Sequence, residues 1–400
     1  MADAYVFDAL RSPRGKGRED GSLHDITPAA LLKTLFDALL QRNGLARDVF
    51  DDVVLGCVTQ VGDQGGNIAK VAALYAGLDS RVSGITINRY CSSGLDACNF
   101  AAMKLISAAD DIVVAGGVEC MSRVAMLSDK GTFYTDPEMI RAARFVPMGL
   151  AADLIASLDG ISREECDQYA VQSQQRAARA RDEGYFDNSI VPTTSPDGEV
   201  LLAQDEIIRP EVTVDLLASF EPSFAEYGRH YEQPFKQAFP ALTELQYIHH
   251  KGNSPGMVDG ASLVLLGTEA AGQNLGLKPR ARIRAMKNVS ASELLGLTGG
   301  IEAAKQVLSA AGMGAKDVDL FEFNEAFAST SIKFPRDLDV DPATVNVNGG
   351  AIALGHAMGA TGATLLGTVL DEMERRDLAT GLVAISGAAG IGTATIIERH

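Results

Sequence analysis

The sequence predicts an α/β protein with a mainly parallel sheet, built from two similar halves separated by an inserted region. Three observations carry this expectation. Strand-like and helix-like segments alternate from Ala4 to Ala115, which is the order that yields parallel strands covered by helices. The alternation breaks down between Met121 and His250, where charged and aromatic residues rise, and it returns after Gly252. The two ends also repeat a motif. Asp51-Asp52-Val53-Val54-Leu55 precedes a small-residue turn at Cys91, and Asp317-Val318-Asp319-Leu320-Phe321 precedes one at His356, with offsets of 91 − 53 = 38 and 356 − 320 = 36.

Element by element, Ala4–Asp8 reads as an opening strand. Pro28–Leu40 has apolar residues at helical spacing, with Thr27 as cap and Pro28 just inside. Asp52–Leu55, Gly84–Ile87 and Asp111–Ala115 read as strands, with helices over Ile68–Ala76 and Ser93–Ser107. In the inserted region one helix is clear, Arg163–Glu183. Beyond Gly252 come strands at Ala281–Met286, Leu320–Phe323, Thr344–Val347, Leu382–Ser386 and Ala394–Glu398. Helices are expected over Ile301–Ala311, Glu325–Phe334 and Gly359–Arg375.

Bulk properties bound the function. A chain of 400 residues fits two to three domains of ~150 residues. The net charge of 35 − 52 = −17 repels phosphate backbones, which argues against nucleic acid and against an anionic membrane surface. No basic stretch followed by an apolar run opens the chain, and no apolar run approaches the ~20 residues of a spanning helix. Five cysteines without a secretory signal point to reduced thiols and a cytoplasmic location. With no CxxC pair and only six scattered histidines, no metal site is expected.

Four segments can carry chemistry. In Asn88-Arg89-Tyr90-Cys91-Ser92-Ser93-Gly94 a cysteine lies between a strand and a helix, where unpaired N–H groups and the helix dipole lower a thiol pKa. In Gly355-His356-Ala357-Met358-Gly359 an imidazole sits at the most Gly-rich helix start, suited to act as a base toward a thiol or a donor to an oxyanion. Asn324-Glu325-Ala326-Phe327 ends a buried strand; Asn324 can hold a water or an oxyanion, and as an N-cap it fits a helix start equally well. Ser386-Gly387-Ala388-Ala389-Gly390 can present backbone N–H groups to an oxyanion or be a plain turn.

Taken together, these segments resemble the thiolase family over essentially the whole chain, in the family's order and rough spacing. Asn253-Ser254-Pro255-Gly256 resembles a further family loop, beside the pantetheine arm, and Val146-Pro147-Met148-Gly149 resembles the loop over the reacting acyl end. The resemblance implies a five-layered αβαβα core of two similar halves. It places the N-terminal half at 1–121 and 251–277, a loop region for CoA at 122–250, and the C-terminal half at 278–400. It implies an acyl-CoA C-acyltransferase: Cys91 takes the acyl group, His356 activates it, and Asn324 fixes a water that stabilises the thioester enolate. The N–H groups of Cys91 and Ala388 form a second oxyanion hole, and Ser254 and Met148 border the CoA and acyl arms. Coenzyme A is the implied co-substrate, with no permanent cofactor and no metal, and the assembly is a homodimer or homotetramer.

Two departures from the family pattern stand out. Ala357 replaces the usual Pro after the histidine, which alters the stiffness of the turn. Ser386 stands where the family carries a second cysteine as acid/base, and a hydroxyl does not ionise in the normal range. The alternative function is therefore a condensing or acyl-transfer enzyme, or an acyl-CoA-binding protein, with impaired thiolysis.

Overall fold

The computed structural model describes residues 3–195 and 197–400. The N-terminal strands are β1 (Tyr5–Arg11), β2 (Asp52–Gly56), β3 (Ile85–Ile87), β4 (Ile112–Cys120) and β5 (Val258–Gly267). The C-terminal ones are β6 (Ala281–Ser290), β7 (Leu320–Phe323), β8 (Thr380–Ser386) and β9 (Ile391–Arg399). The helices used below are α1 (Pro28–Asn43), α2 (Ile68–Tyr75), α3 (Ser93–Ile106), α4 (Met148–Asp159), α5 (Arg163–Asp182), α6 (Gly299–Ala311), α7 (Ala328–Leu338) and α8 (Met358–Arg376). Thr27 caps α1 where the sequence puts it, accepting from the N–H of Ala30 at 3.3 Å, and Ser162 with Glu165 adds a capping box on α5.

The strands run in the order β3-β2-β4-β5-β1-β6-β9-β8-β7. Within the sheet the halves join where β1 pairs with β6, at Tyr5↔Arg282 and Val6↔Ala281. On each side of that seam the same design repeats. The first strand pairs antiparallel with the last (β1 with β5, β6 with β9), the last pairs antiparallel with the one before it, and parallel pairing continues outward through β2 or β7. The expectation of a mainly parallel sheet is thus overturned: among the described residues, three ladders of the large sheet are parallel and six antiparallel. The cause is the last strand of each half, which lies beside the first and runs against its neighbours. Between β8 and β9 the link is only residues 387–390, a length that antiparallel pairing alone permits.

Burial sorts these elements into five layers. Leu31, Leu35 and Phe36 of α1 and Ala72 of α2 cover one face of the N-terminal strands, at Leu55 and Leu265. Leu95 and Ala102 of α3 and Leu366 and Leu370 of α8 form the middle layer, packed on Val54 and Val264 on one side and on Val383 and Ile385 on the other. Ile301 and Val307 of α6 with Phe334 of α7 close the far face, at Phe321 and Phe323. Full burial of one such side chain stabilises by roughly 1.5–3 kcal/mol, so these clusters dominate the fold's energetics.

The repeat is real, but its register is shifted from the one the sequence suggests. Asp51 accepts from the N–H groups of Asp111 and Ile112 at 2.8 and 3.0 Å, and Asp319 accepts from Ala379 and Thr380 at 3.0 and 2.9 Å. These twin carboxylates pin the start of the neighbouring parallel strand, so Val53 corresponds to Phe321 rather than Leu320.

Three further expectations change. Strand β5 lies at the heart of the N-terminal sheet, yet Asp259 and Gly260 interrupt its apolar run and hide it. The Glu325–Phe334 helix begins only at Ala328. The Thr344–Val347 strand reduces to one bridge, Phe321↔Val345, because Asn346 takes a positive φ of 50°. Its side-chain amide then bonds the N–H and C=O of Phe323, both at 2.8 Å, in place of a strand backbone. Among the described residues no helix is long and apolar enough to cross a membrane.

Candidate active site

Cys91 and His356 each stand two residues ahead of a middle-layer helix, α3 and α8. Glycines let those helix starts meet. A Cβ on Gly94 would lie 2.7 Å from the carbonyl oxygen of Gly359, one on Gly117 would lie 1.9 Å from it, and one on Gly359 would lie 2.7 Å from the oxygen of Gly56. Any side chain here would force the helix starts apart.

The turn carrying Cys91 is tightly knit. Tyr90 has a φ of 49°, its N–H donates to Asn88 Oδ1 at 2.8 Å, and Ser93 Oγ accepts from the N–H of Arg89 at 2.8 Å. Arg89 Nε pairs with Asp96 Oδ2 at 2.6 Å. Cys91 keeps partial solvent access, but protein atoms crowd its sulfur. Burial, and secondarily the nearby carboxyl of Glu119, push the thiol up to about 12. The expected lowering by the helix start is therefore overturned: regular helix begins only at Ser93, and desolvation outweighs the dipole.

Glu119 was not singled out from the sequence. Its buried carboxylate accepts from Val58 N at 2.9 Å, Thr59 N at 3.1 Å, Gln64 Nε2 at 2.7 Å and Gly359 N at 3.0 Å, so it ties the exit of β2 to the start of α8. Burial raises its own pKa. A lone acid in the buried run Ile112–Cys120 was the available signal.

His356 is buried, and its N–H donates to the oxygen of Gly256 at 2.9 Å. Gly355 before it has a φ of 87°, and a Cβ there would sit 2.2 Å from Val258 Cγ1. Thr361 Oγ1 lies 2.8 Å from His356 Nδ1 and donates its proton to the oxygen of Ala357 at 2.9 Å. The Nδ1 position must then carry the imidazole proton, an assignment made from the hydrogen bonds. That leaves the Nε2 lone pair without a protein partner. Burial first, and then the charge of Arg14, hold the imidazole down at about 4, so it is neutral at physiological pH.

Asn324 ends β7 with its side chain buried and neither Oδ1 nor Nδ2 bonded to the protein. Its N–H joins the oxygen of Ala384 at 3.1 Å, which sets it beside the end of β8. It is not an N-cap; Phe327 holds that place on α7. Glu325 turns the opposite way and accepts from Tyr169 Oη at 2.9 Å, Ser173 Oγ at 2.8 Å and Ile352 N at 3.0 Å. It anchors α5.

Ser386 has both hydrogen-bonding roles occupied: it donates to the oxygen of Leu297 at 2.7 Å and accepts from the N–H of Gly300 at 2.9 Å. The next residues fold onto the cysteine turn. A Cβ on Gly387 would lie 3.0 Å from the oxygen of Arg89, and Ser92 Oγ donates to the oxygen of Ile385 at 3.2 Å. Ala388 opens the short turn that follows, whose Ala389 has a φ of 58°.

Two further segments reach this place. Asn253 O accepts from the N–H of Ala328 at 3.1 Å, and Asn253 Nδ2 donates to Asp167 of α5 at 2.9 Å. Beside it, Ser254 Oγ is buried without a protein partner. Met148 packs with Ala152, Ile155, Leu297, Ala326 and Phe327, forming an apolar wall next to Asn324. The segments of Cys91, Ser386 and Ala388 therefore touch one another, Ser254 lies two residues before Gly256, whose oxygen bonds His356, and Asn324 and Met148 stand on the segments beside Ala384 and Leu297.

The relationships of the chain agree with this arrangement. A model described as the thiolase N-terminal domain matches residues 4–230, and one described as the thiolase C-terminal domain matches residues 277–399. The chain is 37% identical over 406 residues to a 3-ketoacyl-CoA thiolase of Serratia proteamaculans, covering 100% of both. It is 36% identical over 414 residues to one of Bacillus subtilis, again with 100% of both covered. The crystal structure of the Bacillus anthracis acetyl-CoA acetyltransferase superimposes with a TM-score of 0.87 at 31% identity, over 100% of this chain and 99% of that one. With both domain models matched and relatives aligned from end to end, this chain belongs to the thiolase family.

Proposed function

We propose that the protein is an acyl-CoA C-acyltransferase that cleaves 3-ketoacyl-CoA with CoA, or runs the reverse condensation, through an acyl group carried on Cys91. The observation that supports this best is the close approach of the two helix starts that follow Cys91 and His356, at Gly94 and Gly359, together with the unpartnered His356 Nε2 and Asn324 amide. Thiol and imidazole are both neutral at rest. Proton transfer from Cys91 to His356 Nε2 accompanies attack on the acyl carbonyl. The N–H groups of Cys91 and Ala388 receive the oxygen of the tetrahedral intermediate, and Asn324, through a water, and His356 receive the enolate oxygen. Ser254 borders the pantetheine arm, and Met148 covers the acyl end. Residues 122–250 form the loop region over CoA, flanked by the halves 1–121 with 251–277 and 278–400.

CoA is a co-substrate here, and the working form is a homodimer or homotetramer in the cytoplasm. The edge strand β3 supports self-association: Ile85 is 38% exposed, with Leu74, Tyr75 and Met103 at 50%, 57% and 47% on α2 and α3 of the same half. Five unpaired cysteines suit a reducing compartment. The direct test is incubation with acetyl-CoA followed by mass spectrometry. An acetyl adduct on Cys91, absent from Cys91→Ala, is expected; intact protein without an adduct would sink the proposal.

The bonds of Ser386 favour keeping a second reading, a transferase in which carbon–carbon cleavage is the weak step. Its hydroxyl cannot serve as acid or base while bonded to Leu297 and Gly300. A large gain in thiolysis by Ser386→Cys would support this reading, and unchanged thiolysis would remove it.

A further inference from the structure

The loop after β1 carries two buried arginines with unlike surroundings. Arg11 is neutralised by Asp205 through two bonds of 2.8 Å. Asp205 Oδ1 also accepts the backbone N–H of Arg14, at 2.9 Å. The Arg14 guanidinium is left over: the residue is 5% exposed, its Nη1 has no protein partner, and among the described residues no carboxylate lies within ion-pairing distance. Its stem passes behind the catalytic turn, because a Cβ on Gly260 would meet Arg14 Cγ at 3.6 Å and Ala357 Cβ at 3.3 Å.

The charge balance around it is lopsided. The groups facing Arg14 are Arg11, Asp205, Glu322 and Glu325. Asp205 is taken by Arg11. Glu322 is buried on β7 with Oε2 unpartnered, and burial holds its carboxyl well above the ordinary range, which disfavours its charged form. Burial also raises Glu325, which already accepts from Tyr169, Ser173 and Ile352. Arg14 itself falls only to about 10 and stays cationic. Around His356, Thr361 faces Nδ1 from α8, Cys91 stands at the start of α3, and Glu119 at the end of β4 is bonded to Gly359. Arg14 is the charged group whose field falls on the imidazole, and it is not among those acting on Cys91.

We propose that Arg14 is a positioning residue for proton transfer, whose uncompensated buried charge makes His356 a short-lived proton carrier that protonates the leaving group, the task Ser386 cannot perform. This rests on the reading of Cys91 as the acyl carrier. In cleavage, the Cys91 S–H proton passes to His356 Nε2. The Sγ–C3 bond forms and the C2–C3 bond breaks, with the electron pair moving to C2 of the departing acetyl-CoA enolate. The imidazolium then gives its proton to C2. Two cations in one desolvated region repel, and the charge of Arg14 acts on the imidazole, so Arg14 drives that second transfer forward. No external acid is required, and the imidazole ends neutral.

The test compares full-length wild type, Arg14→Met and Arg14→Lys by two measurements: NMR titration of the 15N-labelled His356 imidazole without substrate, and the pH profile of thiolysis of a short 3-ketoacyl-CoA. In Arg14→Met the imidazole midpoint should rise by about one unit, and the acid limb of kcat/KM should move with it. The kcat should fall roughly tenfold, the equivalent of one such unit, with KM nearly constant. Arg14→Lys should restore most of the loss. Equal imidazole midpoints in wild type and Arg14→Met, or an Arg14→Lys protein indistinguishable from Arg14→Met, would overturn the assignment. If Arg14→Met fails to fold by circular dichroism, Arg14→Gln takes its place under the same criteria. Absence of acyl-Cys91 in wild type would instead defeat the proposed function, while the substrate-free titration would still judge Arg14.

Discussion

The two halves of this protein share one plan and differ most at two places. At the middle-layer helix starts, α3 is preceded by a thiol and α8 by an imidazole, on backbones brought together by the same glycine contacts. Between the last two strands, the C-terminal half needs only residues 387–390, whereas the N-terminal half spends residues 121–257. The difference teaches a division of labour. Duplication supplies two helix starts at one point, and sequence change puts a thiol before one and an imidazole before the other, the pair to which the proposed function gives the roles of nucleophile and base.

Substitutions at these helix starts should break the pairing most severely. His356→Ala should lower acyl transfer by on the order of 10²–10⁴-fold, the usual contribution of a positioned base, measured as single-turnover acetylation of Cys91. Asn324→Ala should cost on the order of 10²–10³-fold in kcat, as loss of one oxyanion contact does, with little change in KM. A smaller effect should separate the thiol here from one activated at rest. Because burial raises Cys91 rather than lowering it, its alkylation by iodoacetamide should climb steadily from about pH 7 to pH 10, without a plateau near neutrality. A plateau below about pH 8 would mean a resting thiolate. The smallest effect probes the scaffold: Asp51→Asn and Asp319→Asn should each destabilise by about 1 kcal/mol in urea melts, since each weakens two equivalent N–H bonds. Clearly unequal losses would show that the halves are not energetically matched.

How legible the site was depended on the kind of signal each residue leaves. Cys91 and His356 were visible because reactive residues at strand-to-helix turns among glycines stand out. Asn324 was ambiguous, since an Asn before a helix reads equally as a cap, and only its unbonded, buried amide distinguishes it. Thr361 left no trace, as a threonine inside a helix is ordinary until its hydroxyl is seen to orient an imidazole. Arg14 left no signal either, because only the fold shows that its guanidinium is buried without a carboxylate partner. Strand β5 was obscured by Asp259, whose carboxylate is satisfied by Ser122 N at 2.8 Å.

By itself the sequence determined the alternation of elements, the duplicated halves, the inserted region and the thiolase family, because these reside in local periodicity and in motifs read along the chain. Only the tertiary structure decided the antiparallel placement of β5 and β9, the neutral resting state of Cys91 and His356, the withdrawal of Ser386 into bonds with Leu297 and Gly300, and the surplus charge of Arg14. Strand order depends on contacts between residues distant in sequence. Protonation depends on how much water and which charges surround a group, and a chain acquires those surroundings only when it folds.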